Sequence, residues 1–161
     1  MRTLLSKVDQ TSLPVLMINL INHTGAERIM FDKFDEIFTK LSKQNVYLQH
    51  FDFHHECGQN RWDKVSILID KINRYIDKNG YYCEQNGSVV SLQTGLIRTN
   101  CIDSLDRTNV VQSLISKIIF EQVLRSCNLL HFSQHLEAAS EIYYHFRNCK
   151  FFKKFLKVFF F

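Results

Sequence analysis

Residues 98–112 read RTNCIDSLDRTNVVQ. Just before them LIRTN (96–100) has the look of a short strand. Behind them Val110, Val111, Leu114, Ile115, Ile118, Ile119 and Val123 recur on one broad helical face. A strand that enters a short loop and leaves it as a helix is a building block of α/β proteins. It is also a favourable anion site, because free backbone N–H groups and the positive end of the helix point at the same place.

Working outward, the rest of the chain repeats the alternation. LPVLMINLI (13–21) is a continuous apolar run behind a proline, which suits a strand buried on both faces. After the turn NHTG (22–25), Phe31, Phe34, Ile37, Phe38 and Leu41 follow at helical spacing. NVYLQHFDF (45–53) returns to strand-like alternation, with Val46, Leu48 and His50 on one face and Tyr47, Phe51 and Phe53 off that register. Val65, Leu68, Ile69, Ile72 and Ile76 mark a helix between Trp62 and Lys78. GYYCEQNGSVVSL (80–92) is a hairpin around Asn86-Gly87, and a last helix is expected near 132–147. The predicted architecture is a mixed sheet flanked by helices, with the loop of 98–112 between a strand and a helix. No repeat, low-complexity linker or second domain interrupts residues 1–161.

Within the loop, Cys101 stands six positions before Arg107. A thiol in a positive field ionises more readily, and the thiolate is the form that attacks. A guanidinium can grip two phosphate oxygens at once and stabilise charge that develops during transfer. This is the C-x5-R spacing of cysteine-dependent phosphatases, with the hydroxyl of Thr108 behind it. Spacing of that kind also arises by chance, so its weight comes from the strand-loop-helix context. Two aspartates lie between the pair. A departing alkoxide needs a proton, and Asp103 is placed to supply it from inside the loop. Beside a bound phosphate, like-charge repulsion favours the protonated acid. Asp106 sits where the helix starts and is read as a cap or as an orienting partner of Arg107. The plainer alternative is that both aspartates only cap the helix.

The stretch RTNCIDSLDRTNVVQS closely resembles the R-x-N-C-x-D-C-L-D-R-T-N signature of Sac-domain phosphoinositide phosphatases. FDFHHECGQNRWD (51–63) is similar to a second segment of that family, and VLMINLINHTGAE (15–27) to the strand before it. The resemblance runs from about residue 13 to about residue 144, nearest to the endoplasmic-reticulum and Golgi branch. It implies that Cys101 is the nucleophile, Arg107 the phosphate ligand and an aspartate the acid. Asn100, Ile102, Ser104, Leu105, Asp106, Thr108 and Asn109 would line the pocket. Arg98 and Asn100, which flank the nucleophile, either contact phosphate or brace the loop. The substrate implied is a phosphatidylinositol monophosphate at a membrane surface, hydrolysed without metal or cofactor. The implied location is cytoplasmic, or the cytosolic face of those membranes.

Two departures stand out. Ser104 replaces the family's second cysteine, a small change in a polar loop. The family also has an N-terminal subdomain and the start of the catalytic domain ahead of these segments. Residues 149–161, CKFFKKFLKVFFF, resemble nothing in it. The expectation is therefore a partial catalytic domain. The phenylalanine-rich tail reads either as a membrane-surface segment or as chain cut at a domain interior, and the second is preferred.

Composition narrows the remaining classes. A net charge of +4 with no arginine-rich aromatic stripe argues against nucleic acid. Five cysteines without a CxxC pair suit reduced thiols rather than a disulfide framework. No apolar run approaches the ~18–20 residues of a membrane span. His50, His54, His55 and Cys57 are the one tempting metal cluster. If 50–55 is a strand, His50 and His54 share a face, but the spacing fits no common zinc pattern. By the resemblance His54 and Glu56 are structural or supporting groups, and Trp62 reads as a core anchor. Two alternatives to an inositol-lipid phosphatase stay open. One is an inactive, phosphoinositide-binding scaffold. The other is a cysteine-dependent protein phosphatase, against which the acidic loop argues.

Overall fold

The computed structural model describes residues 13–41, 45–58, 61–102 and 106–148. The chain divides into two compact bodies at residues 104/105.

The first body is built on strand β1 (Val15–Asn19), every residue of which is buried. It pairs in parallel with β2 (Val46–His50) on one side and β5 (Leu96–Asn100) on the other, giving the order β2-β1-β5. A central strand of a parallel sheet has both faces and both edges covered, which is why LPVLMINLI carries so few polar side chains. Helix α1 (Arg28–Leu41) lies on one face, where Phe34 and Phe38, with Val46 and Leu48 of β2, pack against Val15 and Met17. Ile37, expected on that stripe, instead faces solvent at 46% exposure. Alternation along β2 turns Tyr47 to the other face, where its ring meets Tyr75 of α3 (Val65–Asn79) at 5.3 Å. Val65, Leu68, Ile72 and Ile76 form the buried stripe of α3, as their spacing predicts.

Helix α3 stops at Gly80, whose φ of +59° few other residues adopt and whose N–H returns to the Ile76 carbonyl. The expected hairpin follows, as β3 (Cys83–Gln85) and β4 (Ser88–Ser91), antiparallel and in a sheet of their own. Asn86 and Gly87 have φ of +51° and +77°, so both central residues take the positive φ of a type I′ turn. The α/β architecture is thus observed, with parallel and antiparallel pairing in separate sheets.

Between β2 and α3 the chain departs from its periodicity. Residues 51–53 do not continue the strand, and Phe53–Cys57 form a short helix, α2. Asp52 explains the break. Its side chain accepts from the His55 N–H at 3.0 Å, a helix N-cap that ends extended pairing at Phe51. The strand-face argument for His50 and His54 therefore does not apply. Trp62 packs on Phe53 with ring centres 5.5 Å apart, in keeping with an anchor.

The second body begins with α4 (Asp106–Ser126) and ends with α5 (Ser140–Asn148). The last helix starts later than its sequence suggests, and a short 3-10 turn at Leu136–Ala138 precedes it. Glu121 is the cause. This buried carboxylate on α4 accepts from the Leu136 N–H at 2.9 Å and from Arg125 Nη2 at 3.1 Å, which ties the turn to α4. Leu124, Leu130, Leu136 and Phe146 form the core of this body, with the rings of Phe120 and Phe146 stacked at 5.3 Å. Glu121→Ala strands the Leu136 N–H and leaves Arg125 without its partner carboxylate. The expected loss is about 2–4 kcal/mol in urea unfolding, against little change for Glu137→Ala on the exposed side of the turn.

Candidate active site

Parallel pairing in register brings the last residues of three strands level: Asn19 opposite both His50 and Asn100. The carboxyl edge of a parallel sheet is where α/β proteins usually bind ligands. Here it is crossed by a line of side-chain hydrogen bonds. Asn100 Nδ2 donates to Asn19 Oδ1 at 2.7 Å. Asn19 Nδ2 stands 3.3 Å from His50 Nδ1, and His50 Nε2 stands 3.1 Å from Asp35 Oδ1 on α1. Backbone bonds extend the sheet past this edge, from the Leu20 N–H to the Asn100 carbonyl and from the Phe51 N–H to the Asn19 carbonyl. Asn19 is wholly buried at the end of an apolar strand.

Beside this edge Asp52 joins two loops. One carboxylate oxygen caps α2 and the other accepts from the His23 N–H at 2.9 Å. Burial pushes the Asp52 carboxyl up, but the hydrogen bonds from His55 and His23, with the charge of those two residues, outweigh it and leave it below its usual range. A cleft of about 360 Å³ opens here, lined by His23, His50, Asp52, His55, Glu56 and Lys71 among others. Burial lowers the His50 imidazole below its ordinary value of 6.5, opposed by Asp35 and helped by His23. Among the described residues no group of three or more His, Cys, Asp and Glu is arranged to hold a metal ion. His50 is engaged with Asn19 and Asp35, and His54 uses its backbone N–H to bond Asn22 Oδ1 at 3.0 Å.

The residues singled out from sequence fall into three groups. Arg98 and Asn100 lie on β5, two apart and so on one face, and both are partly buried. Cys101 follows directly at the sheet edge with 8% of its surface exposed, and Ile102 is exposed beyond it. Asp103, Ser104 and Leu105 lie outside the described residues, as does the tail 149–161. Asp106 is the first residue of α4, where a carboxylate meets the positive helix end. Arg107 and Asn109 are half-buried and Thr108 is buried. Cys57 lies outside the loop, on α2, where burial, with Glu56 and Asp63 nearby, pushes its thiol up to about 11 and favours the protonated form at neutral pH.

Sequence reasoning missed Asn19, Asp35 and Asp52. The signal was present for two of them. Asn19 is a polar residue inside an apolar run, and Asp52 directly precedes the residues that became α2.

Cys101 follows β5, and Arg107 lies in the first turn of α4. No family model matches the chain. Curated proteins do. Phosphatidylinositol-3-phosphatase SAC1 of Drosophila melanogaster is 42% identical over 127 residues, 78% of this chain and 22% of that protein. Phosphoinositide phosphatase SAC6 of Arabidopsis thaliana is 38% identical over 112 residues, 69% of this chain and 19% of its own length. Phosphatidylinositol-3-phosphatase SAC1-B of Danio rerio is 34% identical over 127 residues, 78% of this chain and 22% of its own. The chain belongs to the Sac-domain phosphoinositide phosphatase family. It spans about a fifth of the length of these relatives.

Two outcomes follow from the corner at Asp52 and from His50. Asp52→Ala removes the cap of α2 and the partner of the His23 N–H, with an expected loss of about 1–2 kcal/mol. Amide exchange should quicken at His23 and His55 while β1 stays protected. His50 binds protons less readily folded than unfolded, so its contribution to stability is intact above pH 6.5 and declines as pH falls through its lower folded value. Urea midpoints measured from pH 7.5 down to pH 5 should fall, and the slope should flatten in His50→Gln.

Proposed function

We propose that this chain carries the reacting segment of an inositol-lipid phosphatase, which hydrolyses a ring phosphomonoester through a cysteinyl-phosphate intermediate. The observation that carries this reading is the placement of Cys101 at the carboxyl edge of a parallel sheet, in a chain similar to proteins named as phosphoinositide phosphatases.

In the first step Cys101 Sγ attacks phosphorus, an S–P bond forms, and the P–O bond to the inositol ring breaks. The departing alkoxide takes a proton from Asp103, the acid in this reading. In the second step water attacks the same phosphorus, the S–P bond breaks, and inorganic phosphate leaves with the thiolate restored. The carboxylate of Asp103 now accepts the proton of that water. Arg107 holds two phosphoryl oxygens through both steps, a role that needs its planar fork. Asn100, Ile102, Ser104, Leu105, Asp106, Thr108 and Asn109 line the phosphate pocket in this scheme, with Arg98 beside it. The substrate class comes from the relatives' names, and a membrane surface is where such lipids are met.

The deciding experiment is phosphate release from phosphatidylcholine vesicles carrying phosphatidylinositol 3-phosphate, set against release from a phosphotyrosine peptide. Release from vesicles alone is the expected result. Release from the peptide alone would make the chain a protein phosphatase, and binding to the vesicles without turnover would make it a scaffold. Cys101→Ser should abolish release, and Arg107→Lys should come close, because lysine lacks the bidentate geometry. Asp103→Asn should slow hydrolysis of the lipid by about 100-fold or more while sparing an activated aryl phosphate, whose leaving group needs no proton. Equal losses on both substrates would remove Asp103 as the acid.

A further inference from the structure

We infer that Asn19 and His50 are positioning residues, which fix the backbone leaving β5 and so set where Cys101 stands. The inference rests on the reading of Cys101 as nucleophile, and it concerns residues that do not themselves react.

The hydrogen bonds across the sheet edge fit one assignment of donors and acceptors. The Ile21 N–H lies 3.4 Å from Asn19 Oδ1, and a backbone N–H can only donate. That atom of Asn19 must therefore be the acceptor, so Asn100 turns its amide nitrogen toward it. The amide nitrogen of Asn19 then faces His50 Nδ1. An amide nitrogen has only protons to give, so Nδ1 accepts and the ring proton sits on Nε2, which donates to Asp35 Oδ1. Donors and acceptors alternate in one direction, from Asn100 through Asn19 to His50, and on to a carboxylate anchored on α1. Asn100 is held twice, by its side chain to Asn19 and by its carbonyl to the Leu20 N–H. The next residue in the chain is Cys101.

Core packing does not call for this arrangement. Val15, Leu16, Met17 and Ile18 fill the rest of β1 with apolar side chains, and apolar residues at 19, 50 and 100 together would bury without any polar side chain to satisfy. Asn100 Oδ1 is also buried with no hydrogen-bond partner among the described residues, a cost that stability alone would remove. A wholly buried asparagine that aligns the residue before a nucleophile suits a demand on placement instead. Misplacing a reacting group by about 1 Å can cost up to ~100-fold in rate. His50 thereby gains a role that its place in the histidine cluster did not suggest.

The test compares His50→Leu, His50→Asn and His50→Gln in the full chain. An asparagine oxygen falls near the place of Nδ1 and can still accept from Asn19. The glutamine amide reaches instead toward the place of Nε2. With the phosphatidylinositol 3-phosphate vesicles, His50→Leu and His50→Gln should lower kcat by about tenfold or more with KM within about twofold. His50→Asn should regain most of the loss. Asn19→Leu should match His50→Leu, and if it does not fold, the three His50 variants decide. Unchanged kcat in a folded His50→Leu would overturn the inference. So would losses that follow thermal midpoint without regard to which amide is present. A second readout does not need turnover. Amide exchange at Leu20, Cys101 and Ile102 should quicken about tenfold in His50→Leu and return in His50→Asn. If the unaltered chain releases no phosphate, the functional reading fails and exchange alone judges the network. Equal protection in all variants then overturns it.

Discussion

Strand β1 is the constraint on which the first body depends. It is hydrogen-bonded along both edges, packed on its α1 face by Phe34 and Phe38, and buried from Val15 to Asn19. No water reaches its backbone, so each N–H and C=O must find its partner in a neighbouring strand. That requirement fixes the register of β2 and β5 together. A slip of one residue in either would turn an entire side-chain set to the wrong face. Because both neighbours are parallel to β1, their last residues end level, and polar side chains accumulate along one edge.

That edge is where the buried polar side chains of the sheet gather. Asn19, His50 and Asn100 occupy equivalent places in three strands, and each would be costly there alone. Together they satisfy most of one another's hydrogen-bonding groups, with Asp35 supplying the last acceptor. The Asp52 corner works similarly on the adjoining loops, which meet through its carboxylate and through the Asn22 side chain. Membership of the Sac-domain family accounts for the loop that starts at this edge. The chain's share of its relatives, about a fifth, bounds how much of their architecture it holds.

The legible parts of the sequence were those in which one side chain settles its own conformation. Gly87 and Asn86 required a tight hairpin, the apolar run at 13–21 required a buried strand, and Val65 to Ile76 required a helix with one buried stripe. The Cys101 and Arg107 spacing was equally plain. What stayed hidden depended on a partner far along the chain. Whether FDFHHEC would be strand or helix turned on the Asp52 side chain competing with extended pairing. The late start of α5 turned on a carboxylate fifteen residues before the turn it holds. The Asn19 to Asn100 bond spans 81 residues, and no local pattern announces it.

The tautomer inferred for His50 also makes the ring a natural reporter. One nitrogen carries a proton and the other accepts a hydrogen bond from Asn19, so the two are magnetically distinct. Their ¹⁵N resonances should stand well apart while the edge is intact and draw together if the ring exchanges between tautomers. The protein thus carries, in an ordinary histidine, a spectroscopic probe of its own sheet edge, readable without a dye, a bound ligand or an altered residue.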